Sequence, residues 1–104
     1  MTKFQELAKS RAVAVMACRG LNVTFEPIPC EPNEALGHRP GDVYSKAHAR
    51  RGATDCEIYV YNDEAGVKVG DKWQPFERAD WNDDDTQLIG GFCAYLEELL
   101  DKAV

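Results

Sequence analysis

Four residues of the types that bind zinc lie in the middle of this sequence. They are Cys30, His38, His48 and Cys56, and cysteine and histidine are the ligands of closed tetrahedral zinc sites. Such sites generally pair ligands about two to four residues apart, whereas these four follow one another at 8, 10 and 8 positions. They are therefore a weak candidate metal set, and we expect the chain to bind no metal and no cofactor.

Nucleophilic catalysis would need a serine or cysteine beside a histidine and a carboxylate. The two histidines fall where we expect little regular structure, and the sequence has no Gly-rich phosphate loop, metalloprotease helix or nucleophile elbow. Asp80 with Asp83 could hold a divalent cation, but a run of carboxylates more often forms a solvated face or a helix N-terminus. We expect the protein not to be an enzyme.

An acidic stretch with a tryptophan inside it, residues 77–85, is the leading candidate for a binding surface. An exposed aromatic side chain ringed by carboxylates is typical of a hot spot for a basic partner. Tyrosines on an uncovered sheet face would extend this surface. The predicted partner-binding residues are Asp80, Trp81, Asp83, Asp84, Asp85, Tyr59 and Tyr61. The commoner alternative is that Trp81 seals the core under the connection.

Charge is distributed unevenly along the chain, which has a net charge of −6 and a pI near 4.8. Residues 37–52 carry four basic residues against one acidic residue, whereas residues 53–104 carry 13 acidic residues against four basic ones. The alternative anion-binding set is therefore Arg39, Lys46, Arg50 and Arg51. The low pI argues against affinity for a polyanion, so we prefer a protein partner over nucleic acid.

Residues 56–76 are the most strongly patterned part of the chain. Aliphatic and aromatic side chains alternate at positions 58–61, which is typical of a half-buried strand. Turn chemistry follows at 62–66 and 70–71. Pro75 would remove a ladder hydrogen bond, so the last strand should be an edge strand. The pattern predicts a three-stranded antiparallel meander.

Two amphipathic helices are predicted to flank this meander. Residues 2–19 place apolar side chains at helical spacing, with Thr2 as cap and Gly20 as stop. A second helix carries an unbroken apolar stripe from Leu88 to Ala103. The Gly90-Gly91 pair inside it is expected to touch the sheet.

The rest of the chain is less clearly patterned. Residues 21–26 alternate as a strand would, and prolines follow them. We expect a loop over 27–41 and a short helix over 43–51. The predicted fold is one α+β domain, residues 1–104, with an irregular insertion at about 27–55. It is a two-layer sandwich: an antiparallel sheet of three to four strands with the N- and C-terminal helices on one face.

The sequence also bears on the cellular compartment and the oligomeric state. No apolar run approaches the roughly 20 residues that cross a bilayer, and residues 12–18 fit a helix better than a secretion signal. Four cysteines without a Cys-x-x-Cys pair predict reduced thiols. We expect a cytoplasmic monomer or homodimer with no membrane partner.

The leading functional hypothesis is a small acidic, non-enzymatic interaction module. It would bind a basic, nucleic-acid-binding partner protein through its acidic surface, like the small regulators and inhibitors that phages and mobile elements encode. One alternative is a nucleic-acid or phosphate-ligand binder that uses residues 37–52. The other is a small module stapled by zinc.

Overall fold

The structure, a computed structural model, describes residues 2–31, 35, 41–77 and 84–102. In chain order its elements are α1 (Lys3–Ala17), β1 (Glu26–Pro29), β2 (Val43–Arg51), β3 (Thr54–Val60), β4 (Ala65–Val69), β5 (Lys72–Phe76) and α2 (Asp85–Asp101). The α+β class and the order of helix, strands and helix are confirmed. The sheet formed by these described residues, however, has five strands, so the expectation of three to four was too low.

The five strands form one antiparallel meander in sequence order, β1 to β5. Strands β3, β4 and β5 are the three predicted between residues 56 and 76. Gly70 turns the chain between β4 and β5 with a φ of 60°, which glycine adopts without strain. Pro75 lies in β5, an edge strand as predicted.

The predicted short helix over residues 43–51 is wrong, because these residues form β2. Ser45, Ala47 and Ala49 are buried at alternate positions, and the side chains between them are at least partly exposed. Such small residues carry little hydrophobic signal, so their period of two is hard to detect in the sequence. Pairing with β1 on one side and β3 on the other holds the segment extended.

The predicted strand over residues 21–26 is also wrong. The strand is β1, which begins at Glu26 and includes both prolines that were expected to end it. Because β1 is an edge strand, the missing N–H groups are tolerated. The alternation of Leu21, Val23 and Phe25 instead reflects an irregular segment packed against the core. The described part of the region 27–55, which was expected to be an irregular insertion, thus includes most of β1 and all of β2.

One face of the sheet, the inner face, builds the core with both helices. Helix α1 packs against β2 and β3, α2 packs against β4 and β5, and the two helices pack against each other. The buried residues of the inner face are Ser45, Ala47, Ala49, Cys56, Ile58, Val60, Ala65 and Val67. None of the described helices is long and apolar enough to cross a membrane.

The helices are capped by their own sequence. The hydroxyl of Thr2 accepts a hydrogen bond from the Gln5 amide at the start of α1, as the sequence predicts. Helix α1 buries Phe4, Ala8, Ala12 and Met16, and α2 buries Leu88, Ile89, Phe92, Leu96 and Leu100. Leu7 of α1, in contrast, is 39% exposed.

The glycine pair of α2 meets the sheet at only one of its two positions. A Cβ at Gly91 would lie 4.0 Å from Cδ1 of Phe76 in β5, whereas a Cβ at Gly90 would meet nothing within that distance. The expected approach to the sheet therefore holds for Gly91 and not for Gly90.

A buried polar network joins α1 to the sheet. Gln5 and Ser45 are both completely buried. The Ser45 hydroxyl donates to Oε1 of Gln5 at 2.7 Å, and Nε2 of Gln5 donates to the Val43 carbonyl at 3.1 Å and to Oδ1 of Asn62 at 3.2 Å. Because the Gln5 amide is hydrogen-bonded at both its oxygen and its nitrogen, its burial carries little desolvation penalty.

Candidate functional site

Four aromatic side chains form a connected row on the outer face of the sheet, the face opposite the helices. We call this row the aromatic band; it consists of Tyr44, Tyr59, Tyr61 and Trp73. The ring centroids of Tyr44 and Tyr61 are 5.0 Å apart, those of Tyr44 and Tyr59 are 6.2 Å apart, and those of Tyr59 and Trp73 are 5.4 Å apart. These separations are typical of interacting aromatic pairs.

The register of the sheet brings these rings together. Lys46 is paired with Tyr59, so Tyr44, two residues earlier, lies beside Tyr61. Alternation along β3 puts Ile58 and Val60 into the core and the tyrosines on the other face. The band therefore follows from the same period of two that builds the core.

Trp73 reaches the band across β4. A Cβ built at Gly66 would lie 2.9 Å from Cζ3 of Trp73 and closer still to its Cζ2 and Cη2. The indole therefore rests on the bare backbone of Gly66, with its edge towards the ring of Tyr59 at an interplanar angle of 74°. Trp73 nevertheless stays 44% exposed, so it presents aromatic surface to solvent.

A polar group surrounds Tyr59 on the same face. Its hydroxyl donates to the carboxylate of Glu57, and Nζ of Lys46 lies 3.3 Å from Oε2 of Glu57 and 5.4 Å from the Tyr59 ring centroid. The hydrogen bonds from Tyr59 and Lys46 lower the pKa of Glu57. The Tyr59 ring thus already interacts with one cation from this chain.

The acidic turn after β3 lies next to Tyr61. The Tyr61 amide donates to the Glu64 carbonyl at 2.8 Å, which closes the turn around Asp63. Burial, followed by the neighbouring Tyr44 and Glu64, raises the pKa of Tyr61 to about 12. The phenol is therefore neutral at physiological pH, and the negative charge here belongs to the carboxylates.

Carboxylates gather at one end of the molecule, which we call the acidic end. There β2 begins, β3 ends, β4 begins and β5 ends. Helix α1 also begins there, since the Thr2 hydroxyl donates to the Asn62 carbonyl at 2.9 Å. The described carboxylates of the acidic end are Asp42, Asp63, Glu64, Glu77, Asp84 and Asp85.

Part of this acidity serves the fold. Both helices begin near the acidic end, where negative charge complements their dipoles. Near the C-termini of the helices, Arg19 forms a two-pronged ion pair with Asp101, at 2.8 and 3.1 Å. The hydrogen bond from Arg19 is the main cause of the lowered pKa of Asp101. The fold thus separates an acidic end from an end with paired charges.

The predicted partner-binding residues fall into three groups. Tyr59 and Tyr61 lie on the outer face and belong to the aromatic band. Asp84 and Asp85 lie at the start of α2, where Oδ1 of Asp84 caps the helix by accepting from the Gln87 amide at 2.8 Å. Asp80, Trp81 and Asp83 lie outside the described residues.

Two members of the band, Tyr44 and Trp73, were not in the predicted set. The predicted set omits Tyr44 because the sequence pattern predicts a helix over its segment, and a helix has no sheet face on which to place the side chain. The sequence does contain a signal for Trp73. Alternation in β5 places Trp73 and Phe76 on different faces of the sheet, and Phe76 packs against the core.

The alternative basic set does not form one patch in the described part of the chain. Lys46 and Arg50 lie on the outer face, at positions between the buried residues of β2. Arg51 points to the helix side, where its Nη1 donates to the Leu100 carbonyl at 3.0 Å and lies 3.9 Å from Asp101. Arg39 lies outside the described residues.

The members of the weak zinc set that the structure describes do not converge. His48 is exposed on the outer face, where it contacts the carboxylate of Asp55. Cys56 is buried on the inner face, and this burial raises its pKa to about 11. Cys30 lies beyond the end of β1, and His38 is outside the described residues. A single metal ion therefore cannot contact both His48 and Cys56, because their side chains lie on opposite faces of the sheet.

Among the clefts lined by described residues, two lie beside the helices. One, of about 380 Å³, lies between β5 and α2 and is lined by Phe76, Glu77 and Gly91 among others. The other, of about 510 Å³, lies between α1 and the segment before β1, against Val13 and Phe25. Neither lining includes a histidine or a cysteine, so neither cleft assembles the groups of a nucleophilic site.

The chain matches no protein-family model, no curated protein and no solved structure. The features of the described residues that bear on function are therefore the aromatic band and the acidic end.

Proposed function

We propose that this protein is a non-enzymatic interaction module that binds a partner protein with a basic surface. The observation that carries the proposal is the aromatic band on the outer face, which meets the acidic end at Tyr61. Tyrosine and tryptophan are the side chains most enriched in interface hot spots, because each buries a large area with few rotatable bonds.

The rigidity of the surface supports this role. Three band residues extend from paired strands, and Tyr61 directly follows β3. No described helix lies over this face. A surface that is already ordered loses little conformational entropy when a partner binds.

Charge favours a basic partner over an acidic one. The chain has a net charge of −6, and Asp63 and Glu64 of the acidic end lie in the turn that follows Tyr61. Opposite charge steers association and raises its rate, most strongly at low salt. A regulator or inhibitor that acts by occupying a basic surface needs no catalytic group of its own.

Nucleic acid has less support as a partner. Of the four basic residues in the alternative set, Lys46 is paired with Glu57 and Arg51 faces the helices. Phosphate binding depends on several cations presented together, and the described part of the chain does not present these residues on one surface.

The proposal is tested by recovering the partner from native extract with tagged protein and measuring the affinity of the purified pair. Asp63→Asn/Glu64→Gln removes two charges beside the band. Glu97→Gln/Glu98→Gln removes two charges from exposed positions near the other end of α2. We expect the first variant to lose about tenfold in affinity and the second to bind like the unmodified protein.

Salt should weaken the unmodified pair. A purified partner that binds the Asp63→Asn/Glu64→Gln variant as tightly as the unmodified protein would refute the proposal, and so would a partner whose contact surface is acidic.

A further inference from the structure

We propose that the aromatic outer face selects arginine over lysine in the partner, with the guanidinium held at the junction of Tyr44 and Tyr61 with the acidic turn at Asp63 and Glu64. This inference rests on the proposed function and names the chemical group that the partner must present.

The outer face is a sheet surface without a partner among the described elements. Its band does not end in a neutral surface at Tyr61, because the next carboxylates along the chain are Asp63 and Glu64. The backbone hydrogen bond from the Tyr61 amide to the Glu64 carbonyl holds that turn against the end of β3. Tyr61 and the two carboxylates are therefore at most three residues apart along the chain.

Arginine matches this combination and lysine does not. A guanidinium is planar, stacks on aromatic rings and donates two parallel hydrogen bonds to a carboxylate. It is also less strongly hydrated than an ammonium, so bringing it against a ring costs less desolvation. An ammonium would gain the charge attraction but neither the stacking nor the two-pronged bond.

The opposite end of the band is chemically different. Trp73 is paired with Lys68 of β4, so the two side chains lie on the same face of the sheet. This lysine carries positive charge, which would repel an incoming cation. The arginine therefore belongs at Tyr61, and Trp73 provides apolar contact for the rest of the partner.

The two rings at the junction contact each other, and both side chains are partly exposed. Tyr44 and Tyr61 are tilted by 30° with centroids 5.0 Å apart, so each ring covers the other only in part. Ile28, which is paired with Tyr44 in the register, borders the rings on the side of β1. The acidic turn borders them on the other side.

The test uses two synthetic peptides of equal length and charge, one alternating arginine with serine and the other alternating lysine with serine. Their dissociation constants are measured by isothermal titration calorimetry at low salt. We expect the arginine peptide to bind about fivefold more tightly, because only the guanidinium adds planar stacking and a two-pronged hydrogen bond to the charge attraction. Tyr61→Leu should make the affinities of the two peptides equal. Asp63→Asn should weaken the binding of the arginine peptide more than that of the lysine peptide.

Trp73→Leu is the matched control, because it removes an aromatic ring from the same band but away from the acidic turn. It should weaken the binding of both peptides equally and preserve the preference for arginine. Equal affinity of the two peptides for the unmodified protein would overturn the arginine inference and leave the proposed function standing. Failure of both peptides to bind would contradict the proposed function itself. If Tyr61→Leu does not fold, the exposed-turn variant Asp63→Asn decides the question.

Discussion

The indole of Trp73 covers Gly66, a strand glycine that has no side chain of its own to pack. A Cβ at position 66 would lie 2.9 Å from Cζ3 of Trp73 and closer to two further ring atoms. An aromatic ring laid across a strand glycine restores packing that the glycine lacks. The two residues thus act as a pair: the glycine makes room for the ring, and the ring shields the backbone of β4.

This pairing predicts that the effect of Gly66→Ala depends on residue 73. In the unmodified protein the new methyl group displaces the indole, and we expect a loss of about 1–2 kcal/mol in the free energy of unfolding. In a Trp73→Ala background the same change should be neutral or stabilising, because alanine costs less backbone entropy than glycine. Urea unfolding, followed by circular dichroism, gives the free energy of unfolding of the unmodified protein, the two single variants and the double variant. Equal effects in both backgrounds would contradict the pairing.

The buried network around Gln5 makes a second prediction. Gln5→Leu leaves the buried Ser45 hydroxyl without its acceptor, and we expect a cost of about 2 kcal/mol in unfolding free energy. Adding Ser45→Ala removes the unsatisfied hydroxyl and should recover part of this loss. Chemical denaturation of the two single variants and the double variant tests the coupling. Additive losses would show that the two side chains do not depend on each other.

Neighbouring arginines in β2 should differ in their effect on stability. Arg51 donates to the Leu100 carbonyl near the end of α2, so Arg51→Gln should cost about 1–2 kcal/mol. Arg50 is exposed on the outer face, and Arg50→Gln should change stability by less than about 0.5 kcal/mol. Thermal unfolding of the two variants provides the comparison, and the reverse order would contradict the described orientation of these side chains.

Alkaline pH should destabilise the protein through Cys56. Burial raises the pKa of this thiol from 9.0 to about 11. Between these values the unfolded chain has released the proton and the folded chain still holds it. Stability therefore falls as pH rises from about 9 to 11. Unfolding measured across this range should show a shallower fall in stability for Cys56→Ala than for the unmodified protein.

Tyr61 extends the same effect to higher pH, since its pKa is raised from 10.0 to about 12. Tyr61→Phe should lessen the loss of stability above pH 10. An unchanged profile for both Cys56→Ala and Tyr61→Phe would show that neither group is buried as described.

Sequence reasoning succeeded where side chains are large and alternate strongly. The stripe of α2 and the alternation around Ile58 each contain bulky apolar residues, so their periods were evident. Strand β2 was missed because its buried positions hold only Ser45, Ala47 and Ala49. The period of two is present there, but residues this small fit either a helix or a strand, and pairing with two neighbouring strands decides between them.

The candidate site was predictable only in part for the same reason. Tyr59 and Tyr61 were assigned to an outer face because β3 was recognised. Tyr44 requires the register between β2 and β3, which no local pattern contains. The partnership of Trp73 with Gly66 likewise spans two strands. The acidic end depends on where the chain turns, so it emerges from the topology and not from any one stretch of sequence.

The proposed interface is tested by mapping the binding surface on isotopically labelled protein by NMR during titration with the arginine–serine peptide. We predict that the shifted amides cluster around Tyr44, Tyr61 and Asp63, with the Trp73 indole signal also moving. The amides of α1 and of the C-terminal half of α2 should stay in place. Chemical-shift changes concentrated on the helices, with the outer face unaffected, would refute the proposed interface.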